Sequence, residues 1–491
     1  MCLYANDVRG YARLRIIHMS IRNRQVKNSV VIKSGLWYTV SNFMTKGILF
    51  LSTPLFTRML GQERFGEFSN FTSWLSIMTI VVTLTVEATL MSARYDYEDC
   101  IDRYVFSALG LSTVSCIFWA VICNLFMPWV SDFMNLEPLY INVMLVYLLF
   151  LSALHLFQSQ ESFMFRYKVS ATLSMVASIG ACLLSVVLIL VLPDAYRLDG
   201  RIYGHMLPTI LVGGVLFFLL AKRGRRVEVK TWPYTLKVCL PFMPHLLSMT
   251  VLNSTDRIMI TELCSAQDNA LYSVAYNVAM IVTLLLTSLN SAYNPWLAQR
   301  LINEDYATVR KVGKGYICLF LGLGVGLLLV APEVLYIMGG AEYVKATPIM
   351  IPIGIGCMCQ GIYTMFVGLE QFYKKTVGMA IASITAAGLN YALNLWLIPK
   401  FGYVAAAYTT LIGYLWLLGV HMLLVRIIKK HHIYSYGFVL LALVFLALLA
   451  GAMMLLYQSN LARYICLALY MVALGAVAWR FRDKIIRLIK K

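Results

Sequence analysis

Charged residues are scarce in this 491-residue chain: Asp, Glu, Lys and Arg make up 13%, while 60% of the residues are hydrophobic. Soluble domains carry roughly a quarter charged residues, so a string of globular domains is excluded. Proline (13) and glycine (31) are too few and too dispersed for a disordered or collagen-like chain. The phosphate-binding loop G-x-x-x-x-G-K-S/T, the zinc motif H-E-x-x-H and paired C-x-x-C are all missing. That leaves no basis for an ATPase or a metalloenzyme. Of the eleven cysteines, most (Cys116, Cys123, Cys182, Cys239, Cys318, Cys357, Cys359 and Cys466) sit in apolar stretches. There a thiol packs as a small hydrophobe, so no disulfide, metal site or cofactor is expected.

What the chain does have is long apolar runs. Windows of about 19 residues place fourteen spans near 34–60, 68–92, 103–127, 139–162, 169–192, 202–221, 236–260, 270–297, 312–331, 347–372, 377–398, 403–425, 437–457 and 461–479. The fold class is therefore all-α, a polytopic membrane protein. An even count puts both termini on one side. With that side cytoplasmic, 32 of the 41 Lys and Arg fall inside, eight fall outside, and Lys46 lies within the first span. A missed span would reverse every later loop and blur this asymmetry, which supports the count. The net charge of +18 then belongs to loops facing anionic membrane lipid, not to a nucleic-acid partner.

The chain repeats itself. Thr57–Ser69 (TRMLGQERFGEFS) follows the first span and Thr261–Ser273 (TELCSAQDNALYS) follows the seventh, an offset of 204. Pro193 and Gly200 between the fifth and sixth spans are echoed by Pro399 and Gly402 between the eleventh and twelfth. Both halves start on the same side, so a pseudo-twofold axis along the membrane normal would relate them. The expected division is a basic cytoplasmic leader (1–33), a six-helix N-lobe (34–230), a six-helix C-lobe (231–428) and a C-terminal helix pair with a basic tail (429–491). The thirteenth span has no polar side chain between Phe438 and Leu456, as suits a lipid-facing hairpin.

Polar residues enter the spans in rows. In the second span Thr72, Ser76, Thr79, Thr83 and Glu87 follow helical spacing. The first span carries Asn42, Lys46 and Thr53, with Arg58 at its outer end. The seventh carries His245, Ser248, Asn253, Asp256 and Arg257, and the eighth Tyr276, Thr283, Asn290 and Asn294. These four spans are repeat-equivalent pairs, and a wet cavity lined by all of them accounts for the set; interhelical packing accounts for any one row. Lys46 lies roughly 18 Å from either end of its span, at 1.5 Å per residue. At that depth an ammonium costs at least about 3 kcal/mol unless a partner or water meets it, and Glu87 or an anionic substrate would serve. Asp256 and Arg257 are about 100° apart around their helix, so each needs its own partner. Pro241 and Pro244 remove backbone donors and bend the seventh span. Glu370 reads as a solvated helix end beside Lys374 and Lys375. His155, His205 and His421 read as packing residues.

Four stretches carry a resemblance: GLWYTVSNFMTKGILFLSTPLFTRMLGQERFGEFSNFTSWLSI (Gly35–Ile77), STDRIMI (Ser254–Ile260), YNPWLAQ (Tyr293–Gln299) and Tyr373–Thr410, which includes LNYALNLWLIPKFGYVAAAYTT. In these the chain resembles bacterial oligosaccharide-lipid flippases, the Wzx-type polysaccharide biosynthesis proteins of the multidrug/oligosaccharidyl-lipid/polysaccharide exporter superfamily. The resemblance implies alternating access in the bacterial inner membrane. It also implies a cargo of undecaprenyl-pyrophosphate-linked oligosaccharide for O-antigen, capsule or exopolysaccharide, with glycan polymerase and chain-length machinery as partners. Lys46, Arg58 and Arg257 become candidate holders of pyrophosphate or an acidic sugar, with Asn42, Asn290 and Asn294 beside them. Glu87 or Asp256 becomes the candidate ion-coupling group. A drug or cation exporter of the same fold is the alternative, and would expect an uncompensated carboxylate. A membrane polymerase or ligase would need a long catalytic outer loop, and every outer connection is short.

Overall fold

A computed structural model describes residues 28–489, apart from 165, 374–375 and 429–432. The described residues form helices and turns, with no strand among them. The long helices, with the short α6 that leads into α7, are α1 (Asn28–Thr83), α2 (Ile101–Leu125), α3 (Pro138–Phe163), α4 (Tyr167–Val191), α5 (Arg197–Gly224), α6 (Trp232–Cys239), α7 (Met243–Leu263) and α8 (Ala266–Ile302). They continue with α9 (Tyr306–Leu329), α10 (Thr347–Phe372), α11 (Thr376–Phe401), α12 (Tyr403–Ile428), α13 (Tyr436–Leu456) and α14 (Asn460–Ile489). Proline opens α3, α6 and α10 in the first turn, where a missing N–H costs nothing. Ser265 caps α8 by accepting from the Asp268 amide at 3.0 Å. At Gly402, φ of +67° makes the turn from α11 to α12.

Among the described residues ten helices are long and apolar enough to cross a membrane, eleven if the bent pair α6 and α7 is one span. These coincide with the third to thirteenth expected spans. The first two expected spans fall on the two halves of α1, which turns at Gly61 (φ +76°). The last falls on α14, whose apolar stretch Asn460–Ala476 is shorter. The 54° bend between α6 and α7 comes where Pro241 and Pro244 withhold their donors.

The second span departs from expectation. Its helix stops at Thr83, and Leu84 and Thr85 adopt left-handed φ values of +57° and +47°. For a β-branched residue such as Thr85 that backbone costs on the order of 1–2 kcal/mol. The Thr85 amide donates to Thr83 Oγ1 at 3.2 Å and steadies the turn. Beyond it a 3₁₀ segment, Val86–Thr89, carries Glu87. The row from Thr72 to Thr83 therefore does not continue onto Glu87.

The chain divides into two compact units. Among the described residues, one holds 28–52 and Phe71–Thr250, and the other holds Thr53–Asn70 and those from Val251 onward. In the first, α5 packs closely through glycine: a Cβ at Gly204 would lie 2.3 Å from Ser185 Cα on α4, and one at Gly213 would lie 2.3 Å from Phe150 O on α3. In the second, α10 is apolar around nearly its whole circumference and is buried accordingly among α8, α9, α12 and α13.

The C-terminal pair is fastened to this second unit. One side of α13 exposes Leu440, Leu441, Val444 and Leu448, while Val439, Ala442, Leu446 and Met453 are buried. Arg463, counted with the outer loops from sequence, is 2% exposed. Its guanidinium donates to both Glu333 oxygens at 2.5 and 2.6 Å and to Leu329 O at 3.1 Å. Tyr457 and Tyr470 donate to Leu328 O and Gly322 O, each at 2.8 Å. Glu333→Gln is expected to leave the buried guanidinium without its counter-charge and to cost about 2–3 kcal/mol, read as a lower thermal midpoint and faster amide exchange in α14. Burial works against the Glu333 carboxylate, but hydrogen bonds from Arg463 and Tyr464 outweigh it and hold the carboxyl below its ordinary range. The clamp is thus intact near neutrality and weakens as pH falls through that lowered value.

Candidate functional site

A carboxylate buried between helices is the group whose surroundings say most. Asp256 on α7 is 1% exposed. It accepts hydrogen bonds from Tyr272 Oη of α8 at 2.6 Å, from Asn394 Nδ2 of α11 at 2.6 Å, and from Thr410 Oγ1 of α12. Asn394 also donates to Asn390 Oδ1 one turn back, at 3.2 Å, and accepts from Thr409. Among the described residues no Lys, Arg or His lies within 4.0 Å of Asp256. Arg257, its neighbour in sequence, is not among its partners: the two side chains diverge around α7. Three further helices thus present neutral hydroxyls and amides to the Asp256 carboxyl. Such a shell stabilises the anion by hydrogen bonding but leaves its charge uncancelled. A proton or a small cation would cancel it.

Arg257 turns instead to Tyr276, with its guanidinium carbon 5.1 Å from the ring centroid, while its buried Nε has no hydrogen-bond partner among the described residues. Tyr276 and Tyr414 both donate to Asn253 Oδ1 at 3.0 Å. Arg58 is exposed and donates to Ile337 O at 3.4 Å; its neighbour Thr57 donates to Met338 O at 2.6 Å. The two arginines therefore have separate partners. Asn290 is engaged between helices: it accepts from Tyr316 and donates to Thr364 Oγ1 at 3.4 Å. Asn294 is exposed on α8. The side chains of Asn42 and Lys46 lie outside the described residues.

Glu87 belongs to the other unit. His155 Nδ1 of α3 lies 3.8 Å from its Oε1, and its buried Oε2 has no partner among the described residues. His155 thus faces a carboxylate, where packing alone was expected. His205 stacks against Tyr147 at 6.3 Å, as a packing residue would.

The repeat appears as a contact. Ser69 Oγ and Ser273 Oγ, 204 positions apart and at matching places in the two motifs, are 2.5 Å from each other. Asn269 Nδ2 donates to Gly66 O at 2.9 Å and to Thr261 Oγ1 at 2.8 Å. A Cβ on Gly66 would fall 1.7 Å from Ala266 O, so only glycine lets these backbones meet.

Sequence reading missed Tyr272, Asn390, Asn394 and Thr410 as the shell of Asp256. The signal was there in Asn390 and Asn394, two carboxamides one turn apart in an apolar helix. It also missed the burial of Glu370, which is fully enclosed and 2.8 Å from His421 Nδ1.

Residues 31–301 match the polysaccharide biosynthesis protein family, and residues 241–396 match the MatE family. A protein of the Lsg locus of Haemophilus influenzae is 23% identical over 373 residues, which is 70% of this chain and 86% of that protein. Among solved structures, the lipid II flippase MurJ in an inward closed conformation is similar with a TM-score of 0.72 at 14% identity, covering 92% of this chain and 99% of that one. A MATE transporter in complex with MaL6 is similar with a TM-score of 0.52 at 16% identity, covering 80% and 95%. The fold is shared with both.

Proposed function

The chain belongs to the polysaccharide biosynthesis protein family, a family of membrane transporters, and from that premise we propose that it flips undecaprenyl-pyrophosphate-linked oligosaccharide repeat units from the cytoplasmic to the outer leaflet, for O-antigen, capsule or exopolysaccharide assembly. The observation that carries this reading is the family match over 31–301 in a chain whose described residues are almost all apolar helix. The segments between long helices are too short for a catalytic domain, so the glycan is moved and not made. The membrane is the bacterial inner membrane, with both termini cytoplasmic, as the 32-to-8 distribution of basic residues supports.

In this reading spans one to six and seven to twelve are two lobes that alternate about a central cavity. Lys46, Arg58 and Arg257 meet the pyrophosphate, since guanidinium and ammonium donors match its oxygens. Asn42, Asn290 and Asn294 take sugar hydroxyls, Asn290 by exchanging its bonds to Tyr316 and Thr364. Energy enters through an ion at Asp256, whose charge has only neutral partners, with Glu87 the corresponding candidate in the N-lobe. Glycan polymerase and chain-length machinery receive the product. Deleting the gene is expected to trap lipid-linked repeat units on the cytoplasmic leaflet and abolish surface glycan, both restored by the wild-type copy. Normal outward display in the deletion strain would reject the proposal.

A second reading, a drug or cation exporter of the same fold, draws support from the uncompensated Asp256 and from the MatE match. It predicts that the deletion strain gains drug susceptibility with its surface glycan intact.

A further inference from the structure

The buried pair Glu370 and His421 has a counterpart in the other unit. α3 and α10 are each 26 residues long, and each carries a glutamate as its third-from-last residue, Glu161 and Glu370. They are the fourth and tenth spans, equivalent in the repeat. Glu161 is 2% exposed and Glu370 fully buried. Each meets a base from the sixth or twelfth span. Arg223 Nη1 of α5 lies 3.3 Å from Glu161 Oε1, with exposed Arg166 at 3.5 Å from Oε2. His421 Nδ1 of α12 lies 2.8 Å from Glu370 Oε1. Counted from the matching glycines, Gly200 and Gly402, the two bases are one helical turn apart and so share a face. The repeat therefore builds the same brace twice, once with a base that never gives up its charge and once with one that does.

We infer that Glu370 and His421 form a proton-binding site that holds the ends of α10 and α12 together. With one proton the pair is neutral overall, whether imidazole or carboxyl carries it. Without that proton it is a net negative charge in an enclosed site, and Glu370 Oε2 has no hydrogen-bond partner among the described residues. Water must then enter to solvate the carboxylate, and the helix ends part. Among the described residues, the other titratable groups do not cancel that charge. Tyr363 of α10 stacks on His421 at 5.6 Å, and Tyr436 of α13 donates to Met422 O at 3.2 Å. From α8 Arg300 pairs with Asp305, from α9 Lys314 sits over Phe438, on α11 Lys400 sits over Trp396, and Arg426 of α12 is exposed. Among the described residues no other acid or base is within 4.0 Å of the pair.

The test is amide exchange on the full chain in lipid nanodiscs at about pH 6 and about pH 9, expressed as protection factors so that intrinsic base catalysis cancels. Protection over 366–372 and 417–427 is expected to fall about tenfold or more at the higher pH, while 157–163 and 217–224 hold. Glu370→Gln, which keeps the hydrogen bond and removes the charge, should abolish the alkaline loss, as should His421→Arg. Arg223→His should create such a loss around Glu161. An alkaline loss that persists in Glu370→Gln, or equal behaviour of the two braces in the wild type, overturns the inference. The readout needs no cargo, so its failure leaves the transport proposal standing, and failure of that proposal leaves the site standing.

Discussion

Asp256→Asn is expected to slow flipping of lipid-linked oligosaccharide at least about tenfold, with the protein still inserted and abundant. The substitution keeps the size of the side chain but removes its charge, and with it the ability to hold a proton or cation. It also turns an acceptor into a donor on one side. Asn394 Nδ2, now 2.6 Å from a carboxylate oxygen, would face either an amide NH₂ or the one remaining oxygen, and Tyr272 and Thr410 compete for that same oxygen. At about 1.4 kcal/mol per factor of ten, losing one charge-assisted hydrogen bond accounts for the minimum effect. The measurement is flipping in proteoliposomes with an imposed proton or sodium gradient. Wild-type rates should follow the gradient and the variant should ignore it. A variant that still responds to the gradient would remove Asp256 from the coupling step.

The second large effect is expected from a pair of cysteines. Ser69 and Ser273 touch through their Oγ atoms at 2.5 Å, and in the proposed alternation spans one to six would move against spans seven to twelve and part these matching ends of the repeat. Ser69→Cys with Ser273→Cys should therefore oxidise readily, and the linked protein should lose nearly all transport. A reductant should restore it. Each single cysteine variant, treated with the same oxidant, supplies the control. Undiminished flipping in the fully cross-linked protein would mean that this contact stays closed throughout the cycle.

Much of the architecture was legible because a bilayer demands long apolar helices, and Pro193, Gly200, Pro399 and Gly402 mark where those helices turn. The repeat was legible for a related reason: TRMLGQERFGEFS and TELCSAQDNALYS match in length and in their aromatic-Ser ending, and their terminal serines meet. The break at Leu84 and Thr85 was hidden, since neither residue is a usual helix breaker and the left-handed backbone is imposed by surroundings. The site was half legible. Asp256 stood out as an acid in an apolar span, but its partners come from positions 16, 138 and 154 residues away. Periodicity reports which face of a helix is polar, not which distant helix that face meets. Glu370 and Arg463 misled for the opposite reason: a charge near a helix end has an inexpensive home in water, and only packing shows that each is enclosed with a partner.

The contact between Ser69 and Ser273 has an implication for how a duplicated sequence can change. A position that faces its own copy must be complementary to itself. A hydroxyl satisfies that demand, since it donates with its hydrogen and accepts with its lone pairs, whereas an ammonium meeting an ammonium cannot. Two separate, identical subunits would be bound by that rule indefinitely. Joining both copies into one polypeptide lifts it, because either serine is free to be replaced alone by whatever suits the other.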